Sequence, residues 1–161
     1  MLTIRAATAD DAAGIARVYM ESAEYHARLE PDRYWLPSLD AITAQYRERG
    51  RLSQTNGDAI TLVAELDAQV VGFVDAKLDR SPDPMHRELT YCHVVEIAVA
   101  VEHQGQGIGE RLLTASEDWG RQRGAHLASL EFLAANTRAS AFYQRRMGYR
   151  VAAMTAVKPL A

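Results

Sequence analysis

Cysteine is nearly missing from this chain. Cys92 is the single one among 161 residues, so no internal disulfide can form, and a reducing, cytoplasmic setting is expected. Long apolar runs are missing too: none approaches the roughly 20 residues that cross a bilayer. The N-terminus, Met1-Leu2-Thr3-Ile4-Arg5, reads directly as a strand without a secretory hydrophobic segment. There is no surplus of positive charge. A net charge of −3 denies the chain the basic face that nucleic acid would require, and suits a neutral or cationic substrate better. The histidines at 26, 86, 93, 103 and 126 form no i,i+4 pair and have no cysteine at zinc spacing, so no metal site is expected.

What is present fits one globular domain spanning residues 1–161, long enough to bury a sizeable core. Leu2–Ala6 alternates as a strand. Thr8 reads as a helix cap with Asp10 and Asp11 in the first turn, and Ala12, Ile15, Ala16, Tyr19 and Ala23 follow at helical spacing. Pro31 and Pro37 interrupt the chain around Tyr34 and Trp35, after which Ser38 caps a helix carrying Leu39, Ile42 and Tyr46. Asn56-Gly57-Asp58 is turn chemistry. Ala59–Leu66 and Gln69–Leu78 read as strands joined by the hairpin-length Asp67-Ala68, and Asp79–Glu88, with Pro82 and Pro84, as a loop. Thr90–Val101 is a nearly continuous apolar strand, as at the centre of a sheet covered on both faces. A helix presenting Ile108, Leu112, Ala115 and Trp119 stops near Gly124. A strand over Leu127–Leu133, a helix over Thr137–Met147 and a last strand over Tyr149–Val157 complete the order β-α-α-β-β-β-α-β-α-β. That order predicts an α/β fold: a mixed sheet flanked by helices on both faces.

The most informative stretch lies between the long strand and the helix after it. Val94-Val95-Glu96-Ile97-Ala98-Val99-Ala100-Val101 runs into His103-Gln104-Gly105-Gln106-Gly107-Ile108-Gly109-Glu110. Glycines at alternate positions where a helix opens leave backbone N–H groups uncovered, which makes a cradle for a phosphate or pyrophosphate. No lysine follows these glycines, so the loop is not of the Walker A kind. The dinucleotide fingerprint G-x-G-x-x-G misses by one residue, because the glycines fall at 105, 107 and 109. Glu131 could mimic the ribose-binding acid of that fingerprint, which keeps a nicotinamide-dinucleotide reading as a minor one.

The spacing that matches is Gln-x-x-Gly-x-Gly, at Gln104, Gly107 and Gly109. It resembles the acyl-CoA pyrophosphate loop of the GNAT superfamily of N-acyltransferases. A second segment, Asn136-Thr137-Arg138-Ala139-Ser140-Ala141-Phe142-Tyr143 followed by Gly148-Tyr149, resembles the family's N-x-x-A-x-x-F-Y…G-[FY] segment, in the expected order. One departure stands out. The family's glycine follows the tyrosine by four residues, and here Gly148 follows Tyr143 by five. The extra residue must be absorbed by a bulge or a looser helix end.

The resemblance implies transfer of an acetyl group from acetyl-CoA, the co-substrate, to a primary amine. It implies that backbone N–H groups of Gln104, Gly105, Gln106, Gly107, Ile108 and Gly109 bind the pyrophosphate. Ile97, Ala98 and Val99 would pair with the pantetheine like an added strand, and the Val99 N–H would meet the thioester carbonyl. Asn136 would bond the pantetheine arm or cap its helix, and Tyr143 would protonate the departing thiolate. Arg111 and Arg138 read as solvated helix charges, either of which could instead meet a CoA phosphate. Glu96 is the one charge in an apolar run, and burying it is costly unless it is paired or used. It resembles the carboxylate base of some family members, with a structural ion pair as the alternative. His93 is a second candidate base.

The acceptor is an unidentified small-molecule or peptide amine. The resemblance implies an acceptor groove lined by the first two helices and the loop after the third strand, parts that here contain Tyr25, His26, Tyr34, Trp35, Asp79, Asp83 and Glu88, aromatics beside carboxylates that would suit an organic cation. A homodimer accords with the family. The competing reading is a non-catalytic acyl-CoA-binding module of the same fold.

Overall fold

A computed structural model describes residues 1–53, 55, 57–80 and 87–158. Asn56 of the expected turn, and Pro82, Asp83, Pro84 and His86, lie outside the described residues. The backbone divides into two compact units, Met1–Glu131 and Phe132–Ala161.

The first unit is a five-stranded mixed sheet of order β1-β2-β3-β4-β5. The strands are β1 (Thr3–Ala6), β2 (Ala59–Leu66), β3 (Gln69–Arg80), β4 (Thr90–Val99) and β5 (Leu127–Leu130). Neighbours from β1 to β4 run antiparallel, and β5 lies parallel to β4. A two-residue turn joins β2 to β3, with both Asp67 and Ala68 at positive φ, the mirror-image turn whose twist suits a tight hairpin. Beyond the expected Leu78, β3 continues to Arg80 because Asp79 and Arg80 pair with Tyr91 and Thr90.

Three helices belong to this unit: α1 (Ala12–Leu29), α2 (Leu39–Leu52) and α3 (Ile108–Gln122). Thr8 and Ser38 stand at the predicted helix starts. Ser38 Oγ accepts the Ala41 N–H at 3.1 Å, and Thr8 opens a short 3-10 turn, Ala9–Asp11, that leads into α1. The interior alternation of the strands sorts the core into two layers. Ile15, Val18, Ile42 and Tyr46 pack with Val63, Phe73 and Ala98 on one face, where Tyr46 meets Phe73 edge-on at 5.2 Å. Trp119 of α3 packs with Ala76 and Cys92 on the other, and the Cys92 thiol donates to the Ser116 carbonyl at 3.2 Å. Leu39, expected on the buried stripe of α2, is 52% exposed.

The second unit holds α4 (Thr137–Ala141) and a single π turn, Phe142–Arg146. The expected strand at Tyr149–Val157 does not form: residues 150–158 are irregular and all exposed. Ala152, Ala153 and Ala156 interrupt that segment, and alanine brings little side chain to pin a register. β5 likewise stops at Leu130 rather than Leu133.

Candidate active site

Two sequence features shape the end of β4. The first is a bulge. Asp75 of β3 pairs with Glu96, while the next residue, Ala76, pairs with Val94, so Val95 is the extra residue. A bulge bends its strand and re-aims the side chains beside it. The second is an early end to the parallel ladder. β5 pairs with β4 only as far as Val94, whereas β3 accompanies β4 to Val99. On the β5 side, Val95–Val99 therefore has no strand beside it among the described residues. Ala100 N–H donates to the Val71 carbonyl at 2.9 Å. Strand alternation then turns the backbone groups of Val99 and Ile97 toward the open edge and those of Ala98 toward β3.

The chain leaves this edge through a 3-10 turn, Val101–His103, and enters the glycine loop. Glu21 of α1 accepts the Val101 N–H at 2.7 Å, and Gln104 Nε2 donates to the Val99 carbonyl at 2.9 Å, so the turn that leads into the loop is tied on both sides. Gly105 and Gly107 have φ of 80° and 79°, left-handed conformations that side chains with a Cβ rarely adopt. A Cβ built at either would meet nothing within 4 Å. The space over the loop is open, and Gly107 begins α3, whose first N–H groups have no partner within the helix. An open concavity of backbone donors at the positive end of a 15-residue helix fits an anionic group such as a pyrophosphate. A groove of about 470 Å³ continues along α3, lined by Gln106, Gly107, Glu110 and Thr114 among others.

Glu96 lies on the α1–α2 face, opposite Asp75. Asp75 is 4% exposed and accepts from three donors: Tyr46 Oη at 3.0 Å, Thr61 Oγ1 at 2.6 Å, and the Arg49 guanidinium in close contact. Sequence reasoning missed these residues, although Asp75 interrupts the apolar run Val70–Ala76 much as Glu96 interrupts its own. Burial pushes the Glu96 carboxyl up to about 7, the Asp75 charge adds to the rise, and Arg49 opposes it. Burial also raises Asp75, while Arg49, Thr61 and Tyr46 pull it back. Tyr19 and Tyr46 titrate above the ordinary phenol value, burial being the main cause in both. A carboxyl that holds its proton up to neutrality can still release it there, which is what proton transfer near pH 7 requires.

His93 takes a quieter place. Its Nδ1 shares a hydrogen bond with Ser129 Oγ at 3.0 Å across the β4–β5 ladder. Arg111 donates to the Leu2 carbonyl at 3.2 Å. Of the suggested acceptor-side residues, Tyr25, His26 and Tyr34 form a chain of ring contacts at 6.2 and 5.8 Å. Trp35 is 87% exposed, and Asp79 and Glu88 are exposed. Asp83 is outside the described residues. Among those that are described, no group of three or more His, Cys, Asp or Glu could hold a metal ion, and no helix is long and apolar enough to cross a membrane.

In the second unit Asn136 caps α4, its Oδ1 accepting the Ala139 N–H at 3.0 Å. Tyr143 is buried, with rings of Phe132, Phe142 and Tyr149 at 5.5, 5.2 and 6.1 Å. The extra residue between Tyr143 and Gly148 is taken up by the π turn. Met147 N–H reaches back five residues to the Phe142 carbonyl at 3.1 Å, and Gly148, at φ 78°, then turns the chain. A π bulge is the ordinary way for a helix to absorb one residue; here it follows α4 directly, and Tyr143 lies within it.

Comparison with known proteins decides the family. Residues 20–149 match the acetyltransferase (GNAT) family. The chain belongs to the GNAT acetyltransferases. It is 27% identical over 149 residues to the uncharacterized N-acetyltransferase YhfO of Bacillus subtilis, covering 92% of this chain and 89% of that one. A mutant of the BH1408 protein from Bacillus halodurans superposes with a TM-score of 0.87 at 21% identity, over 99% of each chain. The aminoglycoside N-acetyltransferase AAC(6')-Iy, solved with CoA, superposes with a TM-score of 0.73 at 16% identity, over 99% of this chain and 95% of its own. The structural likenesses concern the fold: this GNAT chain has the expected mixed sheet with helices on both faces.

Proposed function

We propose that this GNAT protein transfers an acetyl group from acetyl-CoA to a primary amine by direct attack on the thioester. The observation that carries the reading is the open edge of β4, which leads through one 3-10 turn into a glycine loop at a helix N-terminus. In this reading the N–H groups from Gln104 through Gly109 hold the pyrophosphate of the co-substrate. The free edge at Ile97–Val99 receives the pantetheine as a strand would be received. The Val99 N–H stabilises negative charge on the thioester oxygen as it develops. Acetyl-CoA supplies the activated acyl group, and the chain's own residues move the protons.

An aliphatic amine is mostly ammonium at neutral pH, since the amine of a free lysine side chain titrates at about 10.4. Glu96, titrating near 7, accepts the proton that the amine must lose, directly or through water. Tyr143, by its match to the family segment, returns a proton to the leaving thiolate, and Asn136 bonds the pantetheine arm. The acceptor is a small-molecule or peptide amine met in the cytoplasm, and assembly as a homodimer accords with the family.

The test is a panel of primary amines (polyamines, amino sugars, amino-acid derivatives and peptides) incubated with acetyl-CoA and followed by free thiol release. Saturable thiol release with one class, abolished in Glu96→Gln, is expected. Tight acetyl-CoA binding with no thiol release for any amine would replace this reading with that of a binding module.

A further inference from the structure

The apposition of Asp75 and Glu96 goes beyond the assignment of a base. Residues directly opposite in an antiparallel ladder carry side chains on the same face, with Cα atoms about 4.5–5.5 Å apart. Two carboxyls so placed cannot both ionise cheaply in a partly buried site. The donors around them are unequally shared. Asp75 accepts from Tyr46, Thr61 and Arg49, whereas no hydrogen bond to the Glu96 carboxyl forms among the described residues. Hydrogen bonds to the charged form favour it, so the single negative charge of the pair settles on Asp75 and the proton on Glu96.

We propose that Asp75 is a positioning residue that fixes the proton occupancy of Glu96 from directly across the β3–β4 bulge, with Arg49 of α2 setting the strength of that coupling. The groups facing Glu96 from the elements packed against it are Asp75 of β3, Arg49 and Tyr46 of α2, and Tyr19 of α1. Only Arg49 among them is a cation. It lies against the Tyr46 ring, 5.3 Å from its centroid, and contacts Asp75, so it offsets the negative charge without hydrogen-bonding to Glu96. The bulge is what makes this arrangement. Were Val95 paired in a regular ladder, it would stand opposite Asp75, and Glu96 would turn to the other face of the sheet.

The inference rests on Glu96 as the proton acceptor, and its test separates the two claims. Protein labelled with 13C at the glutamate side-chain carboxyl would be titrated by NMR, the Glu96 resonance being identified by its loss in Glu96→Gln. A midpoint near neutrality is expected for the parent. The isosteric Asp75→Asn should lower it by about one pH unit or more, and Arg49→Met should raise it, each variant keeping a cooperative thermal transition. Opposite-signed shifts cannot come from general loosening, which would move both toward the ordinary glutamate value. A Glu96 midpoint unchanged in Asp75→Asn would overturn the proposal. The acid limb of kcat/KM, measured with whichever amine is turned over, should follow the same two shifts. Full activity of Glu96→Gln would instead refute Glu96 as the base, a failure the titration reads separately.

Discussion

Two clusters in the first unit join arginine to a pair of carboxylates, and they do opposite things. Near the start of α1, Arg5 donates to Asp11 at 2.7 and 2.8 Å and to Glu65 at 2.5 and 2.9 Å. Asp11 also accepts the Thr8 N–H and hydroxyl at 2.7 and 2.9 Å. Each carboxylate there has its donors, and Asp11 is held at about 2, chiefly by its bond to Arg5. On the sheet, Arg49 contacts Asp75 but does not hydrogen-bond to the Glu96 carboxyl, and Glu96 rises to about 7. The first cluster closes the β1–α1 connection. The second keeps one proton mobile at neutral pH. What separates a structural ion cluster from a candidate catalytic one here is the acid left without a donor among the described residues, not the number of charges.

Substitutions can sharpen that contrast. Glu96→Gln should cost the largest effect, about 10²–10⁴ in kcat/KM as expected for general-base loss, with acetyl-CoA affinity retained. Undiminished turnover would put both clusters in the structural class. Tyr143→Phe should reduce turnover by about tenfold or more, again without loss of acetyl-CoA affinity; parental activity would remove the phenol from the mechanism.

The clusters should also bend the pH dependence of stability in opposite directions. Glu96 has a folded pKa of about 7 against an ordinary 4.5, so the folded state binds its proton more tightly. Its contribution therefore falls as pH rises from about 4.5 through 7, and Glu96→Gln should gain on the order of 1–3 kcal/mol relative to the parent above pH 7. Asp11 is the reverse case. Its pKa is lowered from 3.8 to about 2, so its contribution is present above about pH 4 and is lost as pH falls through about 2. Asp11→Asn should cost about 1–2 kcal/mol at neutral pH, leave turnover unchanged, and flatten the acid limb of thermal stability. Parallel pH slopes for the two variants would erase the distinction.

Much of this was legible in local sequence. The helix starts at Thr8 and Ser38, the Asp67-Ala68 hairpin and the strand–glycine–helix run of the loop all depend on a few neighbouring residues. Glu96 stood out because a charge in an apolar run needs a reason. The cluster around it was hidden, because Tyr46, Thr61 and Arg49 converge on Asp75, and Asp75 stands opposite Glu96, only once three strands and α2 are in register. A bulge that moves one residue decides that register. The segment after Gly148 failed for a different reason: apolar composition suggested a strand, but strand pairing needs a partner and a register that composition does not supply. The extra residue before Gly148 could be counted in the sequence, and the π turn is where the helix accommodates it.

The central claim is that the glycine loop and the open β4 edge hold acetyl-CoA. Calorimetric titration of the parent and of Gly107→Val with acetyl-CoA, CoA and NAD tests it most directly. Gly107 sits at φ 79° beneath open space, so a β-branched residue there both strains the backbone and intrudes on the cradle. Saturable one-to-one binding of acetyl-CoA and CoA by the parent is expected, with none of NAD. A Gly107→Val variant that still folds should bind acetyl-CoA at least about a hundredfold more weakly, roughly 3 kcal/mol. Acetyl-CoA binding of equal strength in both proteins, or none in the parent, would contradict the claim.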